Sequence, residues 1–140
     1  MRKGFTLIEL LVVLSILGIL IGLTLFGIGG ARESSRDAKR KADLQEIASG
    51  VEIYRADCND YPSTLGTSLK GDGSPTSCAV SNTYISSVPE DPIDPTRTYR
   101  YSSSGTTFEI CASLEKGSGT VTCGGSSNCG TTCNYKVTNP

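Results

Sequence analysis

The chain has 140 residues, with 13 basic and 14 acidic side chains, no histidine and a formal net charge of −1. That length holds one small domain plus an anchoring segment. The charge balance excludes a strongly basic nucleic-acid binder, and no histidine, phosphate-binding loop or dinucleotide fingerprint is present to carry catalysis.

From Phe5 to Ile28 only Glu9 is ionisable. About 20 apolar residues suffice to span hydrocarbon, so this run reads as a retained membrane helix. A secretory signal peptide has a shorter apolar core followed by an A-x-A site. An acid at membrane depth is costly and marks a functional residue whose partner has to be found. The apolar segment itself offers none. Cutting the chain between Gly4 and Phe5 would supply a free amine on Phe5 about one helical turn from Glu9, and a neighbouring helix displaced along its axis could present its own amine. The plain alternative is a signal anchor in which Glu9 reaches the headgroups.

The run Gly4-Phe5-Thr6-Leu7-Ile8-Glu9-Leu10-Leu11-Val12-Val13 resembles the N-terminal signature of type IV pilins and of the pseudopilins of type II secretion. The resemblance implies cleavage after Gly4 by a prepilin peptidase that also methylates the amine of Phe5. It implies that Glu9 neutralises the amine of an adjacent subunit and sets the axial stagger. Residues 1–4 are then a leader, 5–30 a transmembrane and assembly helix, and 31–140 a pilin-like globular domain outside the cytoplasm. Losing Arg2 and Lys3 with the leader takes the net charge to −3.

Gly18 and Gly22 form G-x-x-x-G, a spacing that allows close helix approach in membranes, although scattered glycines are common there. Many type IV pilins carry a proline in this helix; here none occurs, and the joint Gly27-Ile28-Gly29-Gly30 is where the helix is expected to loosen during assembly. From Ala31 to Cys58 the pattern stays helical. Leu44, Ile47, Ala48, Val51, Tyr54 and Cys58 fall on one face, and Asp37–Lys41 and Lys39–Asp43 are opposite charges at i,i+4. A continuous helix from Phe5 to Cys58 would measure roughly 80 Å. The charged band at 32–46 reads as a solvated face, or as a set of mixed signs pairing with neighbouring subunits or headgroups. Asn59-Asp60-Tyr61-Pro62 ends the helix, because the residue before proline disfavours the α conformation.

Charge leaves the orientation open, since Arg2 and Lys3 precede the span while Arg32, Arg36, Lys39, Arg40 and Lys41 follow it. The cysteines decide it. Cys58, Cys78, Cys111, Cys123, Cys129 and Cys133 form an even set in a Gly/Ser/Thr-rich domain, which reads as disulfides in an oxidising compartment. Six cysteines allow 15 connectivities. A zinc site would need four clustered thiolates, whereas only Cys123, Cys129 and Cys133 are near one another in sequence; Cys129-Gly-Thr-Thr-Cys133 is one residue too long for a C-x-x-C redox motif. A Cys58–Cys78 bridge would pin the loop-like stretch 63–83 to the helix end.

The prolines of 84–95 preclude regular structure, and Asp91 and Asp94 read as turn formers. Tyr99-Arg100-Tyr101 and Phe108–Leu114 read as strands joined at Ser102–Gly105. In the second strand Phe108, Ile110, Ala112 and Leu114 should pack on the helix stripe, leaving Cys111 on the outer face, where only the tail can reach it. The tail 117–140 is expected to be an irregular loop held by bridges, with Thr120–Thr122 and Tyr135–Val137 as short edge strands.

Val88-Pro89-Glu90-Asp91-Pro92, then Tyr99-Arg100-Tyr101 and a strand, resembles the globular domain of the major pseudopilins. The resemblance implies a calcium ion on a loop after the last strand. Here that region reads Glu115-Lys116-Gly117-Ser118-Gly119, with a single acid, which departs from the six to eight oxygens calcium takes.

The expected protein is therefore α+β, a long N-terminal helix packed against a small antiparallel sheet in a pilin-like fold, with no cofactor and no catalytic site. Its expected role is structural, polymerising into a type IV pilus or a type II secretion pseudopilus. The resemblance implies as partners other copies and other pilins or pseudopilins, the prepilin peptidase, the membrane and an assembly platform with a motor ATPase, and no nucleic acid. It places the subunit first in the inner membrane by a single pass, and then in a surface or periplasmic fibre. The alternative is a membrane-anchored binding domain that never polymerises.

Overall fold

The computed structural model describes residues 4–139, with side chains described outside 25–28. The expected leader residues Met1, Arg2 and Lys3 therefore lie outside the described residues. The elements in order are α1 (Leu7–Cys58), β1 (Leu69–Lys70), β2 (Thr83–Ile85), β3 (Arg100–Ser103), β4 (Phe108–Ala112), β5 (Asn128–Cys129), β6 (Thr131–Thr132) and β7 (Tyr135–Thr138). The chain divides into two units, the second beginning at Arg36.

In the first unit the backbone is helical from Leu7 onward, including 27–30, where the glycines mark no break. Its apolar side chains from Leu7 to Leu23 are exposed on every side. Among the described residues this is the one helix long and apolar enough to cross a membrane, by length and composition.

The second unit is built on the 3.6-residue stripe of α1. Leu44, Ile47, Ala48, Val51, Tyr54 and Cys58 are all buried, on the face the periodicity marks. The helix ends where Asn59 takes a left-handed conformation (φ 67°) and its N–H donates to the Arg55 carbonyl at 2.8 Å. Against the stripe lies a three-stranded antiparallel sheet in the order β3-β4-β7. Tyr101 pairs with Ile110, and Ile110 with Val137, so β4 is central. Because side chains alternate along a strand, Phe108, Ile110 and Ala112 enter the core with the helix residues, while Cys111 takes the opposite face. Tyr61 packs edge-on to Phe108 with ring centroids 4.9 Å apart. Tyr101 and Ser103 both donate to the Pro62 carbonyl, at 2.8 and 2.7 Å, which ties the helix exit to β3.

Three expectations need correction. The β3–β4 turn is Ser104–Thr107, because Ser102 and Ser103 still pair with Glu109 and Phe108; Gly105 (φ 79°) supplies the left-handed residue the turn needs. The stretch 63–83 and the start of 84–95 hold a short antiparallel pair, Leu69 opposite Ile85, whose two side chains are buried. The tail is more ordered than expected. Tyr135–Thr138 is the edge strand expected at 135–137 and completes the main sheet, whereas β5 and β6 make an unexpected small hairpin, and 120–122 is not a strand.

Candidate functional site

The N-terminal segment carries the expected processing and assembly residues. Gly4 and Phe5 precede the helix and are exposed, Phe5 at 81%. Thr6 then starts α1 in a way sequence reasoning missed. The Glu9 carboxylate accepts from the Thr6 backbone N–H at 2.9 Å and from the Thr6 hydroxyl at 2.6 Å, both through Oε2, and the Glu9 N–H donates to the Thr6 hydroxyl at 3.4 Å. This is a reciprocal capping box, and its T-x-x-E signature stands in the sequence just ahead of the apolar run. The expectation that the segment offers Glu9 no partner is thus corrected. Ser15 and Thr24 donate their hydroxyls to the Val12 and Ile21 carbonyls, each at 2.8 Å. Every polar side chain between Phe5 and Thr24 is therefore hydrogen-bonded within the helix, as hydrocarbon requires.

Gly18 and Gly22 lie on the open helix surface, where an added Cβ meets nothing within 4 Å. At about 100° per residue they stand roughly 180° and 220° around the helix from Glu9. The acid and the small-residue face thus look in opposite directions.

A second cluster lies in the charged band, and it is neither solvated nor turned to neighbours. Arg40 is fully buried, and Asp37, Asp43 and Asp91 are buried with it. The Arg40 guanidinium donates Nε to Asp91 at 2.7 Å, Nη2 to Asp91 at 3.0 Å, and Nη1 to Asp37 at 2.7 Å and to Glu115 at 2.9 Å. Arg36 adds a second fork on Glu115. Asp37 also accepts the backbone N–H groups of Glu115 and Lys116, at 2.8 and 2.9 Å. Three stretches distant in sequence, the helix, the 91–97 turn and the loop after β4, are thus joined at one guanidinium. Asp91 does form its turn, accepting the Ile93 N–H, but it also carries half of a buried ion pair. The expected i,i+4 pairs give way to these contacts. Lys41 lies over the Tyr135 ring instead, and Asp43 accepts from the Tyr99 hydroxyl at 2.7 Å.

The charges respond accordingly. The Arg36 fork, joined by Arg40, holds the Glu115 carboxyl down at about 2. Burial works against the charge on Asp37, but the Lys116 and Glu115 N–H groups and Arg40 keep its pKa below the usual carboxylate value. Burial likewise opposes the Arg40 charge, and the hydrogen bonds to Asp91, Glu115 and Asp37 more than offset it, raising its pKa.

The six cysteines pair in chain order, Cys58–Cys78, Cys111–Cys123 and Cys129–Cys133, with no free thiol left for zinc or redox chemistry. Cys58–Cys78 fixes the loop to the helix end. Cys111, on the outer sheet face, is met by the tail, where the buried sulfurs and Val121 form a second small core.

A long apolar helix that continues into the stripe carrying a small antiparallel sheet defines an α+β, pilin-like protein. The family model for the prokaryotic N-terminal methylation motif matches residues 1–31, and that for type II secretion system protein G matches residues 28–126. The chain belongs to the type II secretion system protein G family, which selects the pseudopilin of the two classes the N-terminal signature left open. These are structural subunits, and the chain is not an enzyme. Its relatives include the type II secretion system core protein G of Dickeya chrysanthemi, 32% identical over 65% of this chain and 63% of that one. Those of Escherichia coli K12 (30% identical, over 65% and 66%) and Pectobacterium carotovorum (38% identical, over 45% and 40%) are also similar. The matches thus span less than two thirds of these relatives' lengths. No solved structure matches the chain.

Proposed function

We propose that this chain is a structural subunit of a type II secretion pseudopilus. It is cut after Gly4 and methylated on Phe5 by a prepilin peptidase, and it is held in the inner membrane by the first half of α1 with its disulfide-bonded unit on the oxidising side. Subunits then bundle their apolar helices and leave the membrane as a fibre, on an assembly platform with a motor ATPase and together with other pseudopilins.

The observation that carries the reading is the capped acid at the head of an otherwise apolar helix. Oε2 of Glu9 belongs to the helix's own cap; Oε1 is the acceptor we assign to the Phe5 amine of the next subunit. One acid and one amine per subunit, offset along the axis, give a head-to-tail contact that does not close, and repetition makes a fibre and not a ring. The opposed Gly18/Gly22 face gives each helix a second close neighbour.

Mass spectrometry of the purified protein tests the processing: the expected N-terminal residue is a methylated Phe5. An intact Met1 would refute it. A non-polymerising anchored domain predicts instead that Glu9→Ala leaves function intact; loss of fibres with normal cleavage in that variant rejects it.

A further inference from the structure

The calcium ion implied for the loop at 115–119 does not fit the residues found there. Glu115 is the one acid of that loop, and both of its oxygens accept from guanidinium N–H groups, Oε1 from Arg36 and Arg40 and Oε2 from Arg36. The neighbouring acids are used in the same way. Asp37 Oδ1 accepts from Arg40 and the Glu115 N–H, and Oδ2 from the Lys116 N–H. Asp91 Oδ1 accepts from Arg40 Nη2 and the Ile93 N–H, and Oδ2 from Arg40 Nε. All six carboxylate oxygens thus face N–H donors, which carry the same sign of charge as a metal ion and would have to be displaced by it. No buried side-chain nitrogen or oxygen among the described residues lacks a partner, so none is left waiting for a cation. The start of the loop is held as well, because Asn134 accepts the Leu114 N–H at 2.7 Å and donates to the Leu114 carbonyl at 2.9 Å.

We infer that the buried guanidinium of Arg40 is the resident cation of this loop cluster, gathering Asp37, Asp91 and Glu115 as a divalent ion would, so that the globular unit folds without calcium. Arginine suits the task because its planar fork meets several carboxylate oxygens at fixed angles and keeps its charge when buried. The inference concerns folding of the globular unit and stands apart from fibre formation.

The test uses the full chain in detergent micelles. Thermal unfolding followed by circular dichroism should give the same midpoint in excess EGTA and in millimolar calcium. A midpoint that falls by several degrees in chelator and recovers with calcium overturns the inference, as does stoichiometric calcium uptake in a calorimetric titration. Arg40→Gln should free the loop, so that trypsin cuts after the exposed Lys116 roughly tenfold faster or more than in the parent protein. An unchanged cutting rate would refute the role given to Arg40. Should Arg40→Gln fail to fold, Glu115→Gln keeps the guanidinium, removes one of its acids and is read by the same cut.

Discussion

Thr6 and Glu9 hold each other at the head of the apolar helix, the carboxylate taking both the N–H and the hydroxyl of Thr6 while its own N–H returns to that hydroxyl. The acid therefore has two separable properties, a capping geometry and a charge. Glutamine caps at the same position without the charge. Glu9→Gln should insert in the membrane and be processed, yet yield no fibres on overexpression. Thr6→Val keeps the charge and loses the hydroxyl, so fibre yield should fall without vanishing. Shearing the cells and immunoblotting the released fraction measures both. Parent-like fibre yield from Glu9→Gln would show that the cap matters and the charge does not.

The Arg40 cluster sets an acid limit on stability. Glu115 sits at about 2 in the folded protein against an ordinary 4.5, and Asp37 below its ordinary 3.8. Depressed folded-state values mean stability that is complete above about pH 4.5 and is lost as pH falls from there towards 2. At the alkaline end burial pushes Tyr101 up to about 12, and burial and Asp43 raise Tyr99, so stability falls again as pH rises above 10. The urea midpoint of the full chain in micelles should be flat between about pH 5 and 10 and lower on both sides. Glu115→Gln should flatten the acid limb. A midpoint unchanged at pH 3 would contradict the assignment.

The three bridges close loops of different length, with sequence separations of 20, 12 and 4. Chain entropy then ranks their contributions at about 3.3 kcal/mol for Cys58–Cys78, about 2.8 for Cys111–Cys123 and about 1.9 for Cys129–Cys133. Paired Cys→Ser variants, compared by urea unfolding, should follow that order. The reverse order would place the weight on the buried sulfur cluster under the sheet and not on loop closure.

Periodicity made the apolar stripe and the inward set of β4 legible, because burial of carbon surface writes directly into the spacing of apolar residues. Arg40 and Asp37 continue the same stripe at i−4 and i−7 from Leu44, but a search for apolar residues reads a charge as solvated. Their burial depends on Asp91 and Glu115, 51 and 75 residues away from Arg40, and no local pattern records that pairing. The cap at Thr6 was written locally as T-x-x-E and was hidden by the attention a lone acid in an apolar run attracts. Strand β7 was legible at Tyr135–Val137 as a short edge strand, but its partner, the free edge of β4, is a property of the sheet and leaves no local mark. The cysteine pairing could not be read from spacing, since proximity comes from the fold.

Gly50 shows two opposed local effects meeting at one atom. It lies inside α1 and is buried, and a Cβ there would stand 2.3 Å from Cγ1 and 2.6 Å from Cδ1 of Ile85 on β2. In an exposed helix, replacing glycine by alanine gains about 1 kcal/mol of helix propensity. Here Cγ1 is close to the Ile85 backbone, and that backbone is held by pairing with Leu69 and by the nearby Cys58–Cys78 bridge, so the side chain cannot simply swing away. Overpacking of this kind costs about 1–3 kcal/mol. Gly50→Ala should therefore destabilise the protein, by about 1 kcal/mol net, whereas in an Ile85→Ala background, which lacks both Cγ1 and Cδ1, the same Gly50→Ala change should cost nothing. Urea unfolding in the two backgrounds checks this; a Gly50→Ala single variant more stable than the parent would mean that β2 yields to the helix.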